Sequence, residues 1–273
     1  MTATERREQV RPLGPPYLLT SMTDRHGAGV TVTGNASISV VELAVHGQWS
    51  HHLCEQVSAG LRLCLAGPSV SIIIDLQHLD DAYGVSMPFW LRAWRQARLG
   101  RCSVHLAFSL PATTALSRRL RTLQGQHPRL FATALEARMA TAERMPRADR
   151  MQARLAPQPA SVSAARDLVT QACQVWHLPH LLPDTSLIVS ELATNAVEHA
   201  GTDFIVTVSH DGTGLHVAVH DGTTRFPHPG GAAHAGPQAT LPARGRGLML
   251  VQTVAAAWGA MPARGGKVVW ATV

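Results

Sequence analysis

The run from Leu187 to Ala200, LIVSELATNAVEHA, constrains this chain more than any other stretch. Asp184 and Thr185 follow Pro183 and offer an N-cap directly before the apolar-periodic residues. At about 100° per residue, Ile188, Val189, Leu192, Ala193 and Ala196 gather on one broad face, with Ser190, Thr194 and Glu198 opposite. The spacing predicts an amphipathic helix laid on a core. Glu191 and Asn195 are four residues apart and stack on one side of it. Asn195 falls beside Ile188 at the edge of the apolar face, where an unpaired amide costs about 1–3 kcal/mol. Either nearby backbone satisfies that amide or a ligand does.

A chain of 273 residues, 45% hydrophobic and only 15% charged, can bury one large core or two ordinary ones. It has no run of eighteen apolar residues, and the charged opening MTATERREQVRP lacks an apolar signal core. The expectation is a cytoplasmic protein without a membrane span. Cys54, Cys64, Cys102 and Cys173 match no zinc or redox spacing and read as reduced thiols, mostly buried. Between Ala82 and Leu135 there are eight arginines and no acidic side chain. Such a face can meet an acidic partner or simply be solvated. No nucleic-acid motif accompanies it, so nucleic acid is the lesser reading.

Residues 1–28, with Pro12, Pro15 and Pro16, read as a flexible tail. Two alternating runs between Val30 and Val45 predict a strand pair closed around Gly34-Asn35. A helix over about 50–65 follows, then the buried-type strand SVSIIIDL, a helix over 84–99, the strand CSVHLAFSL and a helix over 112–123. Alternating strands and helices imply an α/β layer with a largely parallel sheet. This order, IIIDL at 72–76, Asp81-Ala82-Tyr83-Gly84 before a helix, and the closing TALEARMA resemble a STAS domain, the fold of anti-sigma-factor antagonists. In signalling members of that family a serine in the corresponding turn is phosphorylated. Here Ala82 and Tyr83 stand there, and neither Tyr83 nor Ser86 matches the family position. The resemblance therefore implies a degenerate STAS-like module over 29–140 that binds or scaffolds. Residues 141–160, rich in charge, Pro and Ser, read as a linker.

In the second half, 163–176 reads as a helix, and two strands around Asp211-Gly212-Thr213-Gly214 as a hairpin. Leu215, Val217 and Val219 share one strand face, and Asp221 falls on that same face. A carboxylate in a row of core positions is costly unless something fixed pairs with it. Capping the Gly222 turn is the plainer alternative. The Gly-, Pro- and Ala-rich stretch 227–241 reads as a lid or a disordered loop. It ends in Arg244-Gly245-Arg246-Gly247 before a helix, a natural seat for phosphate or a plain loop-to-helix junction. KVVWATV closes the chain as a strand.

Together, SELATNAVEHA, VHDGTTRFP, GRGLMLV, WG and GKVVW resemble the GHKL ATP-binding fold over 161–273, in the branch of anti-sigma-factor serine kinases and actinobacterial regulatory ATPases. The expected class is thus α/β in an α+β two-layer sense: a STAS-like layer followed by a Bergerat-type sandwich. The resemblance implies that Asn195 holds Mg²⁺ on bound ATP and that Glu191 orients or deprotonates the attacking hydroxyl. It implies that Asp221 accepts the adenine amino group, that Gly222 lets the chain pass close to the base, and that Gly245, Arg246 and Gly247 wrap the phosphates. Arg166 matches a helix arginine that faces the bound partner, and His199 is taken as structural. Asp221-Gly222-Thr223-Thr224-Arg225 lacks the second glycine of the usual box, which argues against a sensor histidine kinase.

The implied function is an ATP-dependent serine/threonine kinase that acts on a STAS antagonist or sequesters a sigma factor. The alternative is a non-catalytic, ATP-dependent binding switch. The sequence leaves a homodimer open.

Overall fold

The computed structural model describes residues 16–18, 21–25, 27–35, 40–66, 71–99, 104–143, 150–210, 214–227 and 247–273. The expected turn residues 211–213, Cys102, and the stretch 228–246 with Gly245 and Arg246 lie outside them. The first half runs β1 (Tyr17–Leu18), β2 (Met22–Thr23), β3 (Gly29–Asn35), β4 (Val40–Gln48), α1 (His51–Ala66), β5 (Ser71–Asp80) and α2 (Met87–Leu99). It continues with β6 (His105–Ser109), α3 (Ala115–Arg121), β7 (Arg129–Phe131) and α4 (Ala134–Ala142). The second half begins with β8 (Arg150–Leu155), α5 (Ala160–Val175), a 3-10 turn Pro179–Leu181, α6 (Leu182–Asn195) and a π-helical turn Ala196–Ala200. It closes with β9 (Phe204–His210), β10 (Leu215–Asp221), α7 (Gly247–Val254), β11 (Ala257–Ala263) and β12 (Gly266–Thr272). Among the described residues no helix is long and apolar enough to cross a membrane.

These strands form one mixed sheet in the order β7-β6-β5-β4-β3-β11-β12-β10-β9-β8, so the fold is mixed α/β. β4, β5, β6 and β7 pair in parallel, as the alternation of strands and helices predicts. β8 to β12 pair antiparallel among themselves. The two parts meet where β11 runs parallel to β3, with Ala263 opposite Gly34, and to β1, with Tyr17 opposite Gly259.

Packing explains why the two halves share a sheet. In β10, Val217 and Val219 join the core beneath α5 and α6, while Ala218 points the other way. In β12, Val269 and Ala271 face that same core, while Val268 and Trp270 face a second one built from Leu43, Leu53, Ile72, Trp90 and Phe108. β12 is therefore apolar on both faces and needs cover on both. Trp270 is fully buried and stacks on Tyr17, with ring centroids 6.1 Å apart. α4 lies on a smaller cluster of Val40, Ile73, Ala107 and Ala137, and Arg138 grips Glu42 with two hydrogen bonds of 2.9 and 2.7 Å.

Five segments differ from the sequence reading. Gly34 and Asn35, expected as the turn of the first strand pair, lie within β3, opposite Val41 and Val40. Residues 17–18 and 22–23 are short strands inside the expected tail, held by pairing with β11 and β3. Residues 150–155 are a strand inside the expected linker, because their backbone completes the ladder with β9. α6 starts at Leu182, ahead of the expected cap, with Pro183 in its first turn. Thr185 is buried and donates to Leu181 O instead of capping. Cys54, Cys64 and Cys173 are free, and burial pushes the Cys64 thiol up to about 12.

Candidate functional site

α6 turns Ile188, Val189, Leu192 and Ala193 into the core, which leaves Glu191 and Asn195 at its edge. Directly after Asn195 the helix widens into the π turn and ends at Gly201, at φ 62° in the left-handed region. Such turns break the regular ladder and are often found at functional sites. The Asn195 Nδ2 atom is buried and has no hydrogen-bond partner among the described residues, so their backbone does not satisfy it. A buried amide left in that state is a place for a ligand.

Glu191, Asn195, Asp221 and Gly247 line one cavity of about 440 Å³, with Leu192, Val219 and Val269 as its apolar wall. Its size and mixed lining are those of a small-molecule site. Glu198, His199, Arg225 and Lys267 complete its polar lining. His199 thus faces the cavity, beyond the structural role expected of it. Burial, and secondarily the negative charge of Glu198, hold the Glu191 carboxyl above the ordinary glutamate range. α7 starts against this carboxylate: a Cβ at Gly247 would sit 2.2 Å from Glu191 Oε2. A larger residue there would displace the Glu191 carboxylate from this position.

Asp221 is 4% exposed and has the fixed partner its position demands. Lys267 Nζ donates to its Oδ1 at 2.9 Å and its Oδ2 at 2.8 Å, and Thr223 N donates to Oδ1 at 3.0 Å. The carboxylate therefore caps the Gly222 turn and also pairs with a cation. Lys267 is the only lysine in the chain, and it is 6% exposed. It lies directly opposite Asp221 across the β10–β12 ladder. Gly222 donates to Thr202 Oγ1 at 2.9 Å, and a Cβ there would crowd the Thr202 side chain at 3.0 Å.

Arg166 stands apart from the cavity lining, exposed on α5 and 3.4 Å from Ser190 Oγ on α6. In the first half, Asp81 accepts from the backbone of Val85 and Ser86 and from the Ser86 hydroxyl. The Ser86 oxygen also accepts from Trp90 Nε1, and the residue is 1% exposed. Ser86 is thus locked inside the turn, whereas Tyr83 is 81% exposed. Arg119 clips the same turn by donating to the Tyr83 and Gly84 carbonyls. The other described arginines of the basic stretch lie exposed on α2, α3 and β7.

Residues 155–273 match the family model for the histidine kinase-like ATPase domain. This part of the chain is such a domain. No curated protein matches the chain. Among solved structures, the RsbU and RsbW domains of a Mycobacterium tuberculosis protein align at 16% identity and a TM-score of 0.33. That alignment covers 47% of this chain and 32% of the other, about a third of its length. The ATPase domain contains every residue that lines the cavity.

Proposed function

We propose that the cavity binds Mg-ATP and that the protein is a regulatory serine/threonine kinase of the anti-sigma-factor type. The observation that carries this is the convergence of Glu191, Asn195 and Asp221 on one cavity, with an Asn195 amide lacking a partner among the described residues. Bound Mg-ATP supplies the transferable phosphoryl group and the charge neutralisation that it needs. Asn195 holds the metal-phosphate end, helped by the N–H groups at the start of α7. Asp221 and Val219 receive the base at the floor, with Gly222 behind them. Glu191 is a half-buried carboxylate with a raised proton affinity, suited to take a hydroxyl proton at its Oε atoms. Gly245 and Arg246 complete the phosphate contacts in this reading, and Arg166 faces the protein partner.

That partner is an intact STAS antagonist, a sigma factor, or both in turn. Phosphorylation of the chain's own STAS-like half is disfavoured by topology. Asp221, Lys267 and Ala263 mark one end of the sheet, and Gly34, Val40 and Ser71 continue that end across β3, β4 and β5. The turn at Asp81 follows the opposite end of β5, a ten-residue strand. It is therefore about 30 Å away along the strand direction, and its one serine is buried.

A second reading, a binding switch without transfer, draws on Ala82 and Tyr83 standing where the resemblance places a phosphorylatable serine in the Asp81–Gly84 turn. Titration calorimetry with Mg-ATP tests the site assignment on which both depend. Asn195→Ala is expected to weaken binding at least about a hundredfold, the loss of a charge-assisted contact and its metal. Unchanged affinity would remove Asn195 from the site.

A further inference from the structure

The floor of the cavity is an ion pair, whereas the family resemblance implied a role for Asp221 alone. Lys267 gives two of its three N–H donors to Asp221. Both bonds go to this one carboxylate, so the third donor is left over among the described residues, and Lys267 lines the cavity. A carboxylate acceptor and an ammonium donor thus lie side by side, 2.8–2.9 Å apart, on facing strands.

We propose that Lys267 is a specificity-determining residue: it aims Asp221 and donates its remaining N–H to the ring nitrogen beside the amino group of a 6-aminopurine. This rests on the nucleotide reading of the same cavity. Adenine presents an amino donor next to a ring-nitrogen acceptor, the complement of Asp221 beside Lys267. Guanine, seated the same way, sets its carbonyl oxygen against the carboxylate and its ring N–H against the ammonium. Both buried groups then lose a partner at once, the circumstance in which a polar site rejects a near-isostere most strongly. Lys267 has a further consequence. With both Asp221 oxygens held, the carboxylate cannot swing aside to admit the guanine edge.

The test is a binding cycle on the full-length protein with Mg-ATP, Mg-GTP and 1-deaza-ATP, in which a C–H replaces the ring nitrogen. Wild-type protein is expected to bind 1-deaza-ATP about tenfold more weakly than ATP, one buried hydrogen bond. It is expected to bind GTP at least about a hundredfold more weakly. Lys267→Met should bind ATP and 1-deaza-ATP alike. Because that variant leaves a buried carboxylate unpaired and could unfold, Asp221→Asn/Lys267→Met, which removes both charges together, is measured beside it. It too should lose the 1-deaza penalty. Wild type that binds ATP and 1-deaza-ATP equally would overturn the proposal and leave the nucleotide site standing. So would a tenfold penalty that survives in either folded variant. Wild type that binds no nucleotide at all would remove both.

Discussion

Glu191 lies against the start of α7, where a side chain at Gly247 would displace its carboxylate, and burial raises its proton affinity. A carboxyl whose affinity for protons is higher folded than unfolded contributes its stability below the ordinary glutamate range, near pH 4. That contribution is lost as the pH rises through the folded value. At neutral pH the residue therefore costs stability that an uncharged amide does not. Glu191→Gln is expected to melt at a higher temperature than wild type at pH 7, with the gap closing as the pH falls below about 4. Melting curves between pH 3.5 and 8 measure this, and a variant that melts lower at pH 7 contradicts the environment described. Such a trade of stability for chemistry is common where a carboxylate acts as a base. Asp221 shows the opposite solution. Its burial is matched by Lys267, and removing one partner of such a pair typically costs about 3–5 kcal/mol.

At the scale of elements, β12 is the strand on which the site and the core both depend. Lys267 and Val269 line the cavity, Val269 and Ala271 close the core under α6, and Trp270 fills the other face against Tyr17. Replacing a fully buried tryptophan by alanine leaves a void worth about 3–5 kcal/mol. Trp270→Ala should lower the melting temperature by roughly 10 °C, and it should weaken ATP binding, because Lys267 and Val269 sit on the same strand. A variant that melts like wild type would mean that the first half does not pack on β12. The periodicities that announced α6 and β10 were plain in the sequence, since one face of each is buried and one is not. The apolar run of β12 announced a buried strand, but not what covered its second face. Lys267 was missed for a related reason. It is far from Asp221 in sequence and meets it only through the register of β10 on β12, which periodicity within either strand does not specify. The β1 strand gave no signal because two residues are too few for a pattern, and its stability comes from β11 and Trp270.

At the scale of the whole molecule, one sheet runs through the first half and the ATPase domain, and one hydrophobic cluster draws residues from both. The cavity opens at one end of this sheet. The Asp81–Gly84 turn, with Tyr83 exposed and Ser86 locked, lies at the other. In the proposed reading, this arrangement fixes the first half against the ATPase domain and directs the ATPase site to a partner in trans. The sequence singled out Asn195 and Asp221 as polar groups set against apolar patterns, and Glu191 by its place one turn before Asn195 in a run that resembles a known family. It could not carry the relation between the halves, which rests on the pairing of β11 with β3 and β1 and on the core shared with Val268 and Trp270.

The central claim is that this site transfers phosphate to a separate protein. The most direct measurement incubates the purified protein with labelled Mg-ATP and a panel of intact STAS antagonists, with Glu191→Ala as the control. The account predicts label on a serine of at least one antagonist, none on this chain's own STAS-like half, and loss of transfer by at least about a hundredfold in the control with ATP binding retained. Tight ATP binding with no label on any antagonist would contradict it and leave the binding switch as the function of this fold.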